Sequence, residues 1–84
     1  QANVLMLLER FEDAAKAYQK ALDEGIKRKG PVYMGIAEAN FYLERWKLAH
    51  NAILEAKKDK NMERTAAGWE SYIRETASRK GVNL

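Results

Sequence analysis

Cysteine is absent from this chain and histidine occurs once, as His50, and both facts limit the chemistry open to it. Without cysteine there is no disulfide and no thiolate metal site, and the redox compartment stays undecided. A single histidine argues against a histidine-based metal site or a catalytic triad within the chain. His50 has no carboxylate at ligand spacing in sequence, so a partly exposed packing residue is favoured over a catalytic one. We therefore expect a protein that is not an enzyme and that uses no metal and no cofactor.

Long apolar runs are missing as well. The longest, residues 4–8, is far shorter than the ~20 residues of a membrane-spanning helix, so no membrane span is predicted. No charged region with a cleavage site, the mark of a signal peptide, opens the chain. Because the sequence begins at Gln1 inside a helical pattern, we expect a piece of a longer protein whose targeting signal lay upstream. One proline, five glycines and a hydrophobic share of 46% indicate a single domain, residues 1–84, and not a low-complexity chain.

What the sequence does contain is an internal repeat. The run Leu8-Glu9-Arg10-Phe11 returns thirty-five residues later as Leu43-Glu44-Arg45-Trp46. The same offset relates further alanines and bulky apolar residues, namely Ala14/Ala49, Ala17/Ala52, Ala21/Ala56 and Tyr18/Ile53. A period of 20–50 residues is typical of stacked repeats.

Helical spacing and turn residues predict five helices. They cover about residues 1–9, 12–24, 31–43, 46–58 and 62–79. Gly25 and Gly81 are natural helix ends, Gly30-Pro31 is a helix start, and Asn61 is the expected N-cap of the last helix. This division gives an incomplete repeat over 1–25, a complete repeat over 31–60 and a capping helix over 62–80, which breaks the repeat pattern as a terminal cap does.

The alanines of the repeat predict where helices approach closely. Ala14 and Ala49 are expected to touch a neighbouring helix backbone, so leucine there should destabilise more than leucine at Ala66. On the last helix, Glu70 and Arg74 have the i,i+4 spacing of a surface ion pair.

These positions resemble the tetratricopeptide repeat, a helix–turn–helix unit of about 34 residues. Three groups of residues carry the resemblance. The turn has the aromatic pair Phe11/Trp46, and the second helix has Ala14/Ala49, Tyr18/Ile53 and Ala21/Ala56. The first helix of the complete repeat has Tyr33, Ile36 and Ala37. Asn40 departs from the usual tyrosine, and Ile26 and Asn61 stand where a proline is usual. The resemblance implies an all-α fold in which antiparallel helix pairs stack as a right-handed α-solenoid with a C-terminal capping helix.

The resemblance also implies a function. First helices of this family line a concave groove that binds an extended peptide or a partner helix. Carried over by position, the groove residues are Asn3, Met6, Leu7, Arg10, Met34, Glu38, Phe41, Tyr42 and Arg45. An alternative for Phe41 or Tyr42 is packing against the capping helix. Gly35 replaces the asparagine of the family's two-carboxylate clamp, which disfavours capture of an acidic C-terminal tail.

Basic residues form two sets that follow the second helices, and the formal net charge is +3. If the repeat stacks, both sets come to one edge, formed by Lys27, Arg28, Lys29, Lys57, Lys58, Lys60 and Arg64. No nucleic-acid-binding motif accompanies them, so we expect solvated charges at helix ends, or an acidic partner or anionic membrane surface, and not nucleic acid.

A second resemblance concerns location. The segments 25–30 and 66–73, with Trp69 and Tyr72, resemble the C-terminal ends of proteobacterial tetratricopeptide proteins found in envelope and TonB-type energy-transduction systems. It implies a periplasmic or envelope-associated protein of a Gram-negative bacterium; the alternative is the cytoplasm.

Three functions remain open, and the most distant of them is binding of nucleic acid or of an acidic surface through the basic edge. The first is a protein-interaction scaffold that binds a peptide or helix in its groove. The second is a structural fragment that oligomerises, its ligand-binding repeats lying upstream. Because residues 4–8 are consecutive apolar residues that cannot all face one helix, we expect self-association through residues 1–8.

Overall fold

The computed structural model describes the backbone of residues 2–84 and the side chains of residues 10–84. Over that range the chain is all-α, as predicted, and has no strand. It forms four helices: α1 (Ala2–Asp23), α2 (Lys29–Tyr42), α3 (Trp46–Ala56) and α4 (Glu63–Arg79).

The predicted break between a first and a second helix near residues 9–12 is wrong. The first copy of Leu-Glu-Arg lies inside α1, which runs unbroken for 22 residues, whereas the second copy forms the turn between α2 and α3. No glycine or proline lies between residues 2 and 23, and leucine, glutamate, arginine and alanine all favour helix. The same tripeptide therefore has two conformations, and context beyond the tripeptide decides between them.

Three of the four helices end in the same hydrogen-bonded motif, in which a residue of positive φ follows the last helical turn. Gly25 (φ 79) ends α1 and Gly81 (φ 81) ends α4, as the sequence predicts. Glu44 (φ 59) has this role after α2, where its amide bonds to the carbonyl of Phe41 and the next amide, that of Arg45, bonds to the carbonyl of Asn40. A non-glycine residue in this region costs roughly 1–2 kcal/mol, so the α2–α3 turn is held by its surroundings.

The helix starts differ in part from the sequence prediction. Pro31 is the third residue of α2, within the first turn, where no amide donor is needed. Asn61 is not the N-cap of α4: that position belongs to Met62, which makes no side-chain cap. The backbone amide of Asn61 instead donates a hydrogen bond to the Asp59 carboxylate at 2.9 Å, which stabilises the α3–α4 connection.

Helices pack against their neighbours in sequence, α1 on α2, α2 on α3 and α3 on α4. The molecule measures 38 × 27 × 16 Å, so it is a thin layer of helices with a broad face on each side. This arrangement is compatible with a helical repeat.

The core lies mainly between α2, α3 and α4. Its fully buried members are small or β-branched residues, namely Ala37, Ala49, Ile53, Ala56, Ala66, Ile73 and Ala77. Four residues of α3 that belong to the repeat pattern are buried, namely Trp46, Ala49, Ile53 and Ala56. Alanine at these crossings lets helix backbones approach closely, as the repeat pattern predicts.

Candidate partner-binding surface

Aromatic residues from three helices meet around Phe41. Its ring lies 5.4 Å from that of Trp46, 5.6 Å from that of Trp69 and 5.1 Å from that of Tyr72, all centroid to centroid. Phe41 itself is only 8% exposed. It is therefore the buried centre of the cluster, and its contacts with α4 confirm the packing alternative for this residue.

Tyr42 and Tyr72 are the exposed members of this cluster. Tyr42 is 47% exposed and stacks on Phe11 of α1, with centroids 4.7 Å apart and planes inclined by 18°. Tyr72 is 51% exposed and contacts both Phe41 and Trp69. We call the surface formed by Phe11, Tyr42, Trp69 and Tyr72 the aromatic face. Aromatic pairs in these geometries hold one another in place, which leaves large, rigid apolar area open to solvent.

The predicted groove residues are placed unequally. Arg10, Glu38, Tyr42 and Arg45 are exposed, and Met34 is partly buried against the core. Phe41 is buried. The side chains of Asn3, Met6 and Leu7, and the whole self-association segment 1–8, lie outside the described side chains.

Arg45 lies beside the aromatic face but is already paired. Its Nη2 donates to Glu12 Oε1 at 2.9 Å, which joins α1 to the α2–α3 turn, and both side chains are about two-fifths exposed. This hydrogen bond, together with the positive charge of Arg45, lowers the pKa of the Glu12 carboxyl. The guanidinium therefore has a partner on α1, in an ion pair that stays accessible to solvent.

Sequence reasoning did not assign Phe11, Trp69 and Tyr72 to a site. In the sequence, Phe11 is a turn aromatic of the repeat, and Trp69 and Tyr72 follow the helical spacing of an apolar stripe on the last helix. Trp69 does pack partly against the core, but Tyr72 points outward far enough to be half exposed. A helical stripe gives the direction of a side chain only to within a broad sector, so it could not separate Tyr72 from its buried neighbour Ile73.

The predicted basic edge is divided among separate places. Lys27, Arg28 and Lys29 line one depression together with Lys58. Lys60 and Arg64 line another, with Glu63 between them. Lys57 faces α4. The two sequence sets are thus brought together only in part.

Lys57 belongs to a partly buried cluster between α3 and α4. Its Nζ donates to Glu70 Oε1 at 2.7 Å, which replaces the predicted surface pairing of Glu70 with Arg74. Nε2 of His50 lies 3.4 Å from Glu70 Oε2. This contact does not have hydrogen-bond geometry, so the buried nitrogen has no hydrogen-bond partner among the described residues. The hydrogen bond from Lys57 lowers the pKa of Glu70, although burial acts in the opposite direction. His50 is therefore a packed residue with a carboxylate neighbour that its sequence surroundings did not reveal.

A second apolar depression of about 280 Å³ lies elsewhere, between α1 and α3 over α2. Leu48, 54% exposed, lines it together with Tyr33, Ile36 and Asn40. The amide of Asn40 donates to the carbonyl of Ile36 at 2.9 Å, which accounts for burial of this polar residue. This depression shares none of its lining residues with the aromatic face.

Within residues 2–84 no helix has the length and apolar character to cross a membrane. The described side chains include no group of three or more potential metal ligands. Comparison of the chain with protein-family models, with curated proteins and with solved structures gives no significant match. The tetratricopeptide resemblance consequently rests on the residues that carry it and on the all-α packing.

Proposed function

We propose that this chain is a protein-interaction module, the C-terminal part of a tetratricopeptide-like solenoid, and that it binds a peptide or helix of a partner on its aromatic face. The observation that carries the proposal is the pair Tyr42 and Tyr72. Both tyrosines are about half exposed, yet each is supported by the buried ring of Phe41. Two exposed aromatic rings that contact the same buried ring belong to one apolar patch, and such patches often mark interaction sites.

The chemistry of the surface suits a protein partner. Tyrosine, tryptophan and arginine are enriched where interfaces gain most of their binding energy, because they add large contact area at small entropic cost. Here the rings are ordered before binding by their mutual contacts, and Arg45 already forms an ion pair with Glu12. A surface that is ordered in advance loses less entropy on association.

The geometry supports a segment that runs across the helices. Phe11, Tyr42 and Tyr72 come from α1, α2 and α4, so the aromatic face crosses the layer and does not follow one helix. An extended peptide or an amphipathic helix can contact all three in turn. Under this proposal α2 is the first helix of a complete repeat, α3 is its second helix, and α4 is the cap.

Localisation in a bacterial envelope belongs to the proposal as well, and its support is the sequence resemblance alone. The aromatic face does not depend on the compartment.

The test is a selection of peptides from a random display library on the intact chain, followed by measurement of the dissociation constant of the selected peptides by fluorescence anisotropy. Tyr42→Ala and Tyr72→Ala should each weaken binding by at least about tenfold, the loss expected of an interface hot spot. Leu48→Ala is the matched control, because it removes an equally exposed apolar side chain from the other depression.

Two results would count against the proposal. One is a set of peptides whose affinity falls with Leu48→Ala and not with the tyrosine variants, which would move the site to the α1–α3 depression. The other is a selection that enriches no peptide above background.

A further inference from the structure

The depression at the α1–α2 connection carries an unusual concentration of positive charge. It has a volume of about 480 Å³. Its lining comes from the α1–α2 connection, the first part of α2, the last turn of α3 and the α3–α4 connection, namely Lys27, Arg28, Lys29, Gly30, Tyr33, Glu55, Lys58 and Asp59. We call it the basic depression.

The two acidic residues of the basic depression already have partners. Glu55 accepts hydrogen bonds from Lys58 Nζ at 3.0 and 3.2 Å. Asp59 accepts from the Asn61 amide and packs against Gly30. Lys27, Arg28 and Lys29 form no ion pair with any side chain of residues 10–84. Because Glu55 is paired with Lys58, the other charged groups of the lining are three consecutive cations and the Asp59 carboxylate. The basic depression therefore keeps an excess of positive charge, and the repulsion among the cations would fall if an anion bound.

The arrangement favours a compact anion over a polymer. A nucleic-acid strand or a long acidic peptide needs a continuous basic stripe. Here the stripe is interrupted, because Lys57 is turned toward Glu70 and because Lys60 and Arg64 line their own depression with Glu63. What remains is one concave site with a guanidinium, which matches phosphate oxygens in a forked geometry, and several ammonium groups around it.

We propose that the basic depression is a binding site for a phosphate group carried by a small soluble molecule. Arg28 and the neighbouring lysines bind the phosphate oxygens, and Tyr33 forms the wall against which the rest of the molecule lies. This site is separate from the aromatic face and does not depend on the proposed peptide binding.

The test is an NMR titration of the ¹⁵N-labelled chain with inorganic pyrophosphate at constant ionic strength. We expect saturable shifts of the amides of residues 27–30 and of Tyr33. Lys27→Gln/Arg28→Gln should weaken binding by at least about tenfold, since charge-assisted hydrogen bonds are lost. The control is Lys60→Gln/Arg64→Gln, which removes the same charge from the other depression and should change affinity by less than about twofold.

Three outcomes overturn the proposal. The first is shifts that rise without saturation. The second is equal weakening in both double variants, which would indicate attraction to net charge alone. The third is binding to vesicles rich in anionic lipid without saturable pyrophosphate shifts, which would make the basic depression part of a membrane-binding surface.

Lys58→Gln provides an independent variant at the α3 side of the site, and it too should weaken pyrophosphate binding if the proposal is correct.

Discussion

The ring of Tyr18 in α1 lies directly against Gly35 in α2, so closely that a Cβ on Gly35 would overlap the ring. Glycine in the middle of a helix costs roughly 0.5–1 kcal/mol relative to alanine. At this position the cost has a structural reason, because the missing side chain is the space that the tyrosine occupies. Gly35 thus sets how closely α1 approaches α2.

Gly35→Ala should have opposite effects in two backgrounds. With Tyr18 present, we expect the variant to be about 1 kcal/mol less stable in urea unfolding, because the ring is forced off α2. In the Tyr18→Ala background, where the space is empty, it should be about 0.5–1 kcal/mol more stable.

Gly68→Ala is the control for that cycle. Gly68 lies in α4 with open space around its Cα, so alanine there should stabilise both backgrounds alike. A Gly35→Ala variant that stabilises the wild-type chain as much as Gly68→Ala does would show that Tyr18 does not restrict the helix contact.

Leucine substitutions at α4 separate a buried alanine from an exposed one. Ala66 is fully buried and Ala67 is exposed, so Ala66→Leu should destabilise by about 1–3 kcal/mol and Ala67→Leu should be close to neutral. The structure changes the ranking expected from the repeat pattern. Ala66 is as buried as Ala49, whereas Ala14 is only partly buried, so Ala14→Leu becomes the mildest of the three. Thermal melts of the variants provide the check.

The sequence was informative about α2, α3 and α4, and the reason is local. Glycine and proline start or end helices through their own backbone preferences, and they do so here at Gly25, Gly30-Pro31 and Gly81. Helix limits near these residues are therefore predicted to within a few residues. Buried alanines of α3 and α4 recur at helical spacing and were also predictable.

The α2–α3 turn and the aromatic face show where local reasoning ends. Whether Leu-Glu-Arg stays helical depends on packing that the tripeptide does not contain. The aromatic face combines residues of α1, α2 and α4. Their spacing along the chain does not predict that Phe11 stacks on Tyr42. The sequence predicted Tyr42 as a contact residue through its position in the repeat, but the rings that support it required the structure.

Acid should weaken the α3–α4 contact through Glu70. Because the Lys57 hydrogen bond lowers the pKa of this carboxyl below its ordinary value of 4.5, the pairing stabilises the fold above that pH. The stabilisation is lost as the pH falls through the lowered pKa of the folded state. We expect the free energy of unfolding to drop as the pH falls below the ordinary carboxyl value of 4.5, and to drop less in Glu70→Gln.

Glu75→Gln is the matched variant for that measurement. Glu75 is exposed on the same helix and has no ion-pair partner among the described side chains. Its substitution should leave the acid dependence unchanged. The Arg45 hydrogen bond also lowers the pKa of Glu12, so protonation of Glu12 should destabilise the fold as well. Some acid dependence should therefore persist in Glu70→Gln. An unchanged slope in Glu70→Gln would show that the Lys57 pairing does not contribute.

Glycine at the two repeated glutamates gives the sharpest test of the fold, because the local sequence is the same and the backbone is not. Glu44 has a φ of 59°, a conformation that glycine adopts without steric cost. Glu44→Gly should therefore stabilise the chain by about 0.5–1 kcal/mol. Glu9 lies inside α1, where glycine costs roughly the same amount, so Glu9→Gly should destabilise. Equilibrium urea unfolding of the two single variants measures both signs. If both variants stabilise, the chain turns at residue 9 as it does at residue 44, and the helix–turn–helix repeat includes the first copy after all.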